Sequence, residues 1–116
     1  MFAHKAQTLL RHREELGLSD AQVDKIRALE TETNKKSIQQ TADVKIAALD
    51  IQSKLRGDNV DLQEINALID QKYALKAKEA KLLTAAYVDL KAQLTEEQRV
   101  KLKQLKRNKD RSGKKR

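Results

Sequence analysis

The side chains able to do chemistry are few. His4 and His12 are the only two imidazoles in 116 residues. They lie eight positions apart, about 80° from each other around a helix, and neither has a histidine at i+3 or i+4. A transition-metal site needs three or four ligands, so these two would have to recruit Glu14, Glu15 or another chain. The pattern suits surface imidazoles better than a zinc, nickel or cobalt centre, and no cofactor is expected. Cysteine is absent, which excludes disulfides, thiolate catalysis and Cys-based zinc sites. There is no Gly-rich phosphate loop and no HExxH. Neighbouring carboxylates such as Glu96 and Glu97 fall in the first turn of a helix, where capping accounts for them. No enzymatic activity is expected.

The remaining chemistry is charge. From Arg99 to Arg116 there are ten Lys or Arg against one acid, Asp110, so this stretch carries +9 of the net +8 and residues 1–98 carry −1. The body is neutral and the tail is basic, so the overall charge says nothing about a basic face on the body. KLKQLKRNKDRSGKKR could bind phosphates by counterion release. It has no interleaved aromatics for stacking, which makes nucleic acid the weaker reading.

Proline is absent, glycine occurs three times, and Phe2, Tyr73 and Tyr87 are the three aromatics. A chain with so few places to turn must run in long helices, and with so few aromatics its core is thin. An all-α fold follows. A second copy is the simplest partner for such a chain, as a homodimer. No segment approaches 18 consecutive apolar residues, so no membrane-spanning helix is expected.

Helix starts occur as one pattern used three times: Leu18-Ser19-Asp20-Ala21-Gln22, Val60-Asp61-Leu62-Gln63-Glu64 and Leu94-Thr95-Glu96-Glu97-Gln98. Each has an N-cap residue (Ser19, Asp61, Thr95) with Gln22, Glu64 or Gln98 three positions on, the reciprocal capping box. The apolar residue before each cap can staple onto the first turn, as Leu18 onto Val23 and Val60 onto Ile65. Gly17 and Gly57 each suit a left-handed helix end. These signals predict four helices, over about 2–16, 20–56, 62–93 and 96–108, with a disordered basic tail over 109–116 and one domain over 1–108. The second would be roughly 55 Å long.

The short connection at Gly57 makes helices 20–56 and 62–93 an antiparallel hairpin, residue i facing about 117 − i. Val23, Ile26, Leu29, Ile38, Ala42, Ile46, Leu49 and Leu55 form one apolar stripe, answered by Leu62, Ile65, Leu68, Ile69, Leu75, Leu82, Leu83, Ala86, Leu90 and Leu94. From Glu30 to Thr41 the only apolar residue is Ile38. The hairpin should therefore be well stitched near Gly57 and thin in its middle.

Two L-[ST]-x-x-Q boxes bracketing a helical hairpin resemble the LTxxQ-motif family of bacterial periplasmic proteins, which includes Spy- and CpxP-like chaperones and ZraP- and CnrX-like metal-linked relatives. The resemblance covers residues 8 to 105. It implies an antiparallel, cradle-shaped homodimer whose concave face holds unfolded or partly folded proteins without ATP during envelope stress. It also raises a metal-binding or sensing protein as an alternative, and a sensor kinase as a partner. A shallow face mixing isolated aliphatics with lysines suits weak binding of many clients. The candidates are Ile38, Lys45, Ile46, Leu49, Lys72, Leu75 and Lys76. Two features depart from the family: Thr95-Glu96-Glu97-Gln98 lacks the proline often found in the second box, and the basic tail is longer. The N-terminus MFAHKAQTLLRHREEL has no apolar signal region, so a periplasmic location rests on the resemblance alone.

Overall fold

The structure is a computed structural model that describes the backbone of residues 2–114 and the side chains of residues 2–108. It is all-α, with no strand among the described residues. The helices are α1 Phe2–Arg11, α2 Arg13–Leu16, α3 Asp20–Leu55, α4 Leu62–Ala92 and α5 Glu96–Lys114. The chain divides into two compact units, Met1–Thr31 with Ala86–Arg116, and Glu32–Ala85.

Among the described residues five helices stand where four were expected, because the first one breaks at His12 (φ −100°, ψ 22°). Leu10 O, which an unbroken helix would offer to the Glu14 N–H, accepts the Arg13 guanidinium at 2.9 Å. The four-residue α2 then closes on Gly17 in the left-handed region at φ 69°. Leu18 N donates to Arg13 O at 2.9 Å and Gly17 N to Glu14 O at 3.1 Å, the paired bonds of a Schellman end.

The first unit holds most of the core. Phe2, Ala6, Leu9, Leu10 and Leu16 from α1 and α2 are buried, as are Ile26 of α3, Ala86 and Leu90 of α4, and Leu94 in the turn before α5. Burying these apolar side chains is the main source of stability, each Leu, Ile or Phe contributing about 1.5–3 kcal/mol and the alanines less.

In the second unit only Thr33, Ala47 and Ile65 are buried. The expectation of a well-stitched Gly57 end is corrected here: Leu55, Val60 and Leu62 are all at least half exposed. Gly57 is also not a left-handed stop, since Gly17 is the positive-φ glycine among the described residues. Instead α3 tightens as it ends, Gly57 N donating to Lys54 O at 3.4 Å.

The seam of α3 is the second correction. Thr33, Ser37, Gln40, Val44, Ala47 and Ile51 are buried or half-buried, at alternating spacings of four and three. The expected stripe residues Ile38, Ile46 and Leu49 lie outside that seam and are exposed. On α4 the half-buried set includes Leu68, Lys72, Leu75, Glu79 and Leu82, close to the expected stripe.

The last helix, expected to close near residue 108, continues to Lys114. Residues 115 and 116, and the side chains of 109–116 on which the reading of a disordered tail bears, lie outside the described residues.

Candidate functional site

Two places gather the residues singled out by the sequence: the paired boxes of the first unit and the α3–α4 surface of the second. In the first box Ser19 N donates to Gln22 Oε1 at 2.8 Å and Gln22 N to Ser19 Oγ at 3.1 Å. The second box repeats this, Thr95 N donating to Gln98 Oε1 at 2.9 Å and Gln98 N to Thr95 Oγ1 at 3.2 Å. Both are complete capping boxes, as the spacing predicted.

The two glutamines then cross over to each other. Gln22 Nε2 donates to Gln93 O at 2.7 Å and to Gln98 Oε1 at 2.8 Å. Gln98 Nε2 donates to Gly17 O at 3.0 Å and to Gln22 Oε1 at 3.3 Å. Gly17 and Gln93 each stand two residues before a cap, at Ser19 and Thr95. Each box thus reads the carbonyl just ahead of the other, in a near-symmetric exchange that employs both N–H groups of each amide. Gln98 is buried with only 8% of its surface exposed; Leu94, before the second cap, is buried, and Leu18, in the equivalent place before the first, is half-buried.

The middle box differs. Asp61 Oδ1 accepts from Gln63 N at 3.0 Å and from Glu64 N at 3.5 Å, so it caps α4. Glu64 does not reach back as the third box partner. Its carboxylate takes Lys54 Nζ at 2.9 Å, which holds the Lys54 ammonium above its usual pKa. The reading of Glu64 as a cap is therefore corrected to an ion pair between α3 and α4.

The client candidates divide into separate groups. Ile38, Lys45, Ile46 and Leu49 are exposed, the aliphatics at 73, 55 and 62% of their surface. At 100° per residue they occupy an arc of about 100° on α3, opposite the Thr33–Gln40–Ala47 seam. Leu75 is half-buried and joins Ile46 around a shallow hollow of about 200 Å³ that Asp43, Ala47, Asp50 and Gln71 also line. Lys72 and Lys76 stand over the Tyr73 ring, 5.7 and 5.5 Å from its centroid. Tyr73, itself 58% exposed, was not singled out by the sequence reading. Its neighbours at i−1 and i+3 were, and lysines around an exposed aromatic are the signal that names it.

Among the described residues no three His, Asp or Glu side chains are placed to hold a metal ion. His12 Nδ1 lies 3.2 Å from Glu15 Oε1. In the first unit Lys5 and Lys91 stand 5.2 and 5.1 Å from the centroid of Tyr87. The Lys5 ammonium, with Lys91 adding to it, favours the phenolate and lowers the Tyr87 pKa against the opposing effect of burial.

The model of the LTXXQ motif family protein matches residues 4–106. The chain belongs to the LTXXQ motif family. No curated protein and no solved structure matches it significantly. For this LTXXQ protein, the crossed glutamines explain the motif in physical terms. The Ser or Thr and the glutamine oxygen form each cap, and the glutamine nitrogen ties the two caps together.

Proposed function

We propose that this LTXXQ protein is an ATP-independent holding chaperone of the Spy and CpxP kind, acting in the bacterial periplasm on unfolded or misfolded proteins. The observation that carries the reading is the inverted face of α3. Thr33, Ser37, Gln40 and Ala47 share its inner seam with Val44 and Ile51, while Ile38, Ile46 and Leu49 stand in solvent among lysines. Exposing three large aliphatics on one stripe costs solubility unless something covers them transiently. Isolated aliphatics separated by charge favour weak, non-selective contacts over one tight partner. The role needs no cofactor or catalytic group, and membership of the family supports the same compartment and a self-associated working form.

Light scattering of a chemically denatured client, diluted without ATP, tests this. A few-fold molar excess of the protein should suppress aggregation. The triple variant I38S/I46S/L49S should lose several-fold in potency at unchanged helicity, because exposed positions rarely carry more than about 0.5 kcal/mol of stability each. Absence of suppression by the unaltered chain would sink the proposal.

A further inference from the structure

A hollow of about 540 Å³ in the first unit is lined by Gln7, Leu10, Arg11, Arg13, Arg27, Glu30 and Thr31. Three arginines line it, and among the described residues none of the three forms an ion pair. The one carboxylate there is already engaged, since Gln7 Nε2 donates to Glu30 Oε2 at 2.9 Å and to Oε1 at 3.1 Å. A glutamine thus holds the acid that an arginine would ordinarily take. The formal charge of the lining is therefore +2.

The break at His12 is what makes this lining possible. On a continuous helix, residues two apart point about 200° away from each other and cannot share a pocket. Here Arg11 ends α1 and Arg13 opens α2, with the non-helical ψ of 22° at His12 between them, and both line one hollow with Arg27 of α3. Arg13 is anchored by its bond to Leu10 O, so one fork is ordered before any ligand arrives. Arg11 and Arg27 have no such bond among the described residues. Arginine forks match planar and tetrahedral oxyanions through paired N–H donors, and a +2 lining balances a dianion.

We propose that this hollow binds a phosphate monoester, with Arg11, Arg13 and Arg27 as its donors and the Gln7–Glu30 pair keeping the arginines free. The hollow is open on one side and leaves room for a phosphate carried on a larger molecule, either a soluble phosphate ester or a lipid headgroup. The site is separate from the α3 stripe assigned to clients and stands or falls without it.

The test is an amide-resonance titration with inorganic phosphate at fixed ionic strength. Shifts should saturate with a Kd of about 1 mM or below, centred on Gln7, Arg11 and Thr31. R11Q/R27Q should weaken binding about tenfold or more, the loss expected for charge-assisted bonds. Arg13 is left intact because it holds the helix break. R11K/R27K keeps the charge but not the forks and should also bind more weakly. K103Q/K106Q/R107Q, which thins the basic α5, should bind phosphate as well as the unaltered chain. Cosedimentation with phosphatidic acid vesicles, but not with pure phosphatidylcholine, would assign the source to a lipid headgroup if R11Q/R27Q abolishes it. Phosphate binding without cosedimentation would assign it to a soluble ester. A linear, unsaturated response to tens of millimolar phosphate would overturn the proposal. So would a response lost in the α5 variant and retained in R11Q/R27Q.

Discussion

Gln22 and Gln98, 76 residues apart in sequence, exchange amide hydrogen bonds at 2.8 and 3.3 Å while each caps its own helix. Each side-chain oxygen receives both its own cap N–H and the other amide, and each nitrogen also holds a backbone carbonyl of the other box. Capping alone asks only for an acceptor at this position, which glutamate supplies as well as glutamine. The crossed bonds ask for a donor too. That is why the two boxes that meet carry glutamine, whereas the middle one, whose Glu64 turns to Lys54, does not.

Gln22→Glu separates these two roles. As a cap it should be neutral or slightly favourable, since an acid in the first turn suits the helix dipole. As a member of the crossed pair it loses both donations and sets a carboxylate against Gln93 O and Gln98 Oε1. A loss of about 1–3 kcal/mol in chemical denaturation is expected, because Gln93 O loses its donor and the new charge faces acceptor oxygens. Gln98→Ala should cost a similar amount. Gln22→Ala combined with Gln98→Ala should cost less than the two together by on the order of 1 kcal/mol, because the partners act as a unit.

The two helix-ending glycines should respond differently to alanine. Gly17 sits at φ 69° with open space where a Cβ would stand, so its penalty is conformational alone. Gly17→Ala should lower stability by about 1–2 kcal/mol, the cost of the left-handed region for a residue with a Cβ. Gly57 is not at positive φ, and a Cβ there would stand 3.5 Å from Lys54 O, an ordinary contact. Gly57→Ala should be neutral or stabilising by up to about 1 kcal/mol, through the unfolded chain. Thermal melts of the two variants side by side decide this.

Helix starts were legible because they are local: Ser19, Asp61 and Thr95 begin α3, α4 and α5 where their side chains require. Helix ends read from glycine were right at Gly17 and misjudged in conformation at Gly57, since glycine permits the left-handed region without demanding it. The face of α3 was misjudged by counting aliphatics. Its seam places Thr33, Ser37, Gln40 and Ala47 beside Val44 and Ile51, and the four small or polar members signal nothing to an apolar pattern. The break at His12 depends on Arg13 reaching a carbonyl three residues back, and the glutamine crossing on contacts across 76 positions. Neither has a signature in local spacing.

Tyr87 provides a spectroscopic reporter of the first unit. In a Tyr73→Phe background it is the sole tyrosine, and its phenol should ionise below the ordinary value of 10.0 because Lys5 favours the phenolate. Lys5→Gln should move the ultraviolet titration upward. The sign for stability follows: a depressed folded pKa contributes above the unfolded pKa and is lost as pH falls through the folded one. Lys5→Gln should therefore cost more stability above pH 10 than at neutral pH. An unchanged midpoint would remove Lys5 as the cause.

Gln40 tests whether the second unit's weak seam is a deliberate sacrifice of stability. Its side-chain Oε1 is buried without a hydrogen-bond partner, between the buried Thr33 and Ala47 on the same face of α3. An unpaired buried polar atom costs about 1–3 kcal/mol. Gln40→Leu is close in volume and removes that penalty while adding apolar burial, so the denaturation midpoint should rise by an amount equivalent to about 1–2 kcal/mol. Gln40→Glu should do the opposite, because a carboxylate in that place is costlier to bury than an amide. If α3 keeps this seam loose so that its outer stripe can yield to varied clients, Gln40→Leu should stabilise the chain and at the same time reduce its suppression of client aggregation. Stabilisation with full holding activity would show that the stripe works as a rigid surface, and that Gln40 matters to folding alone.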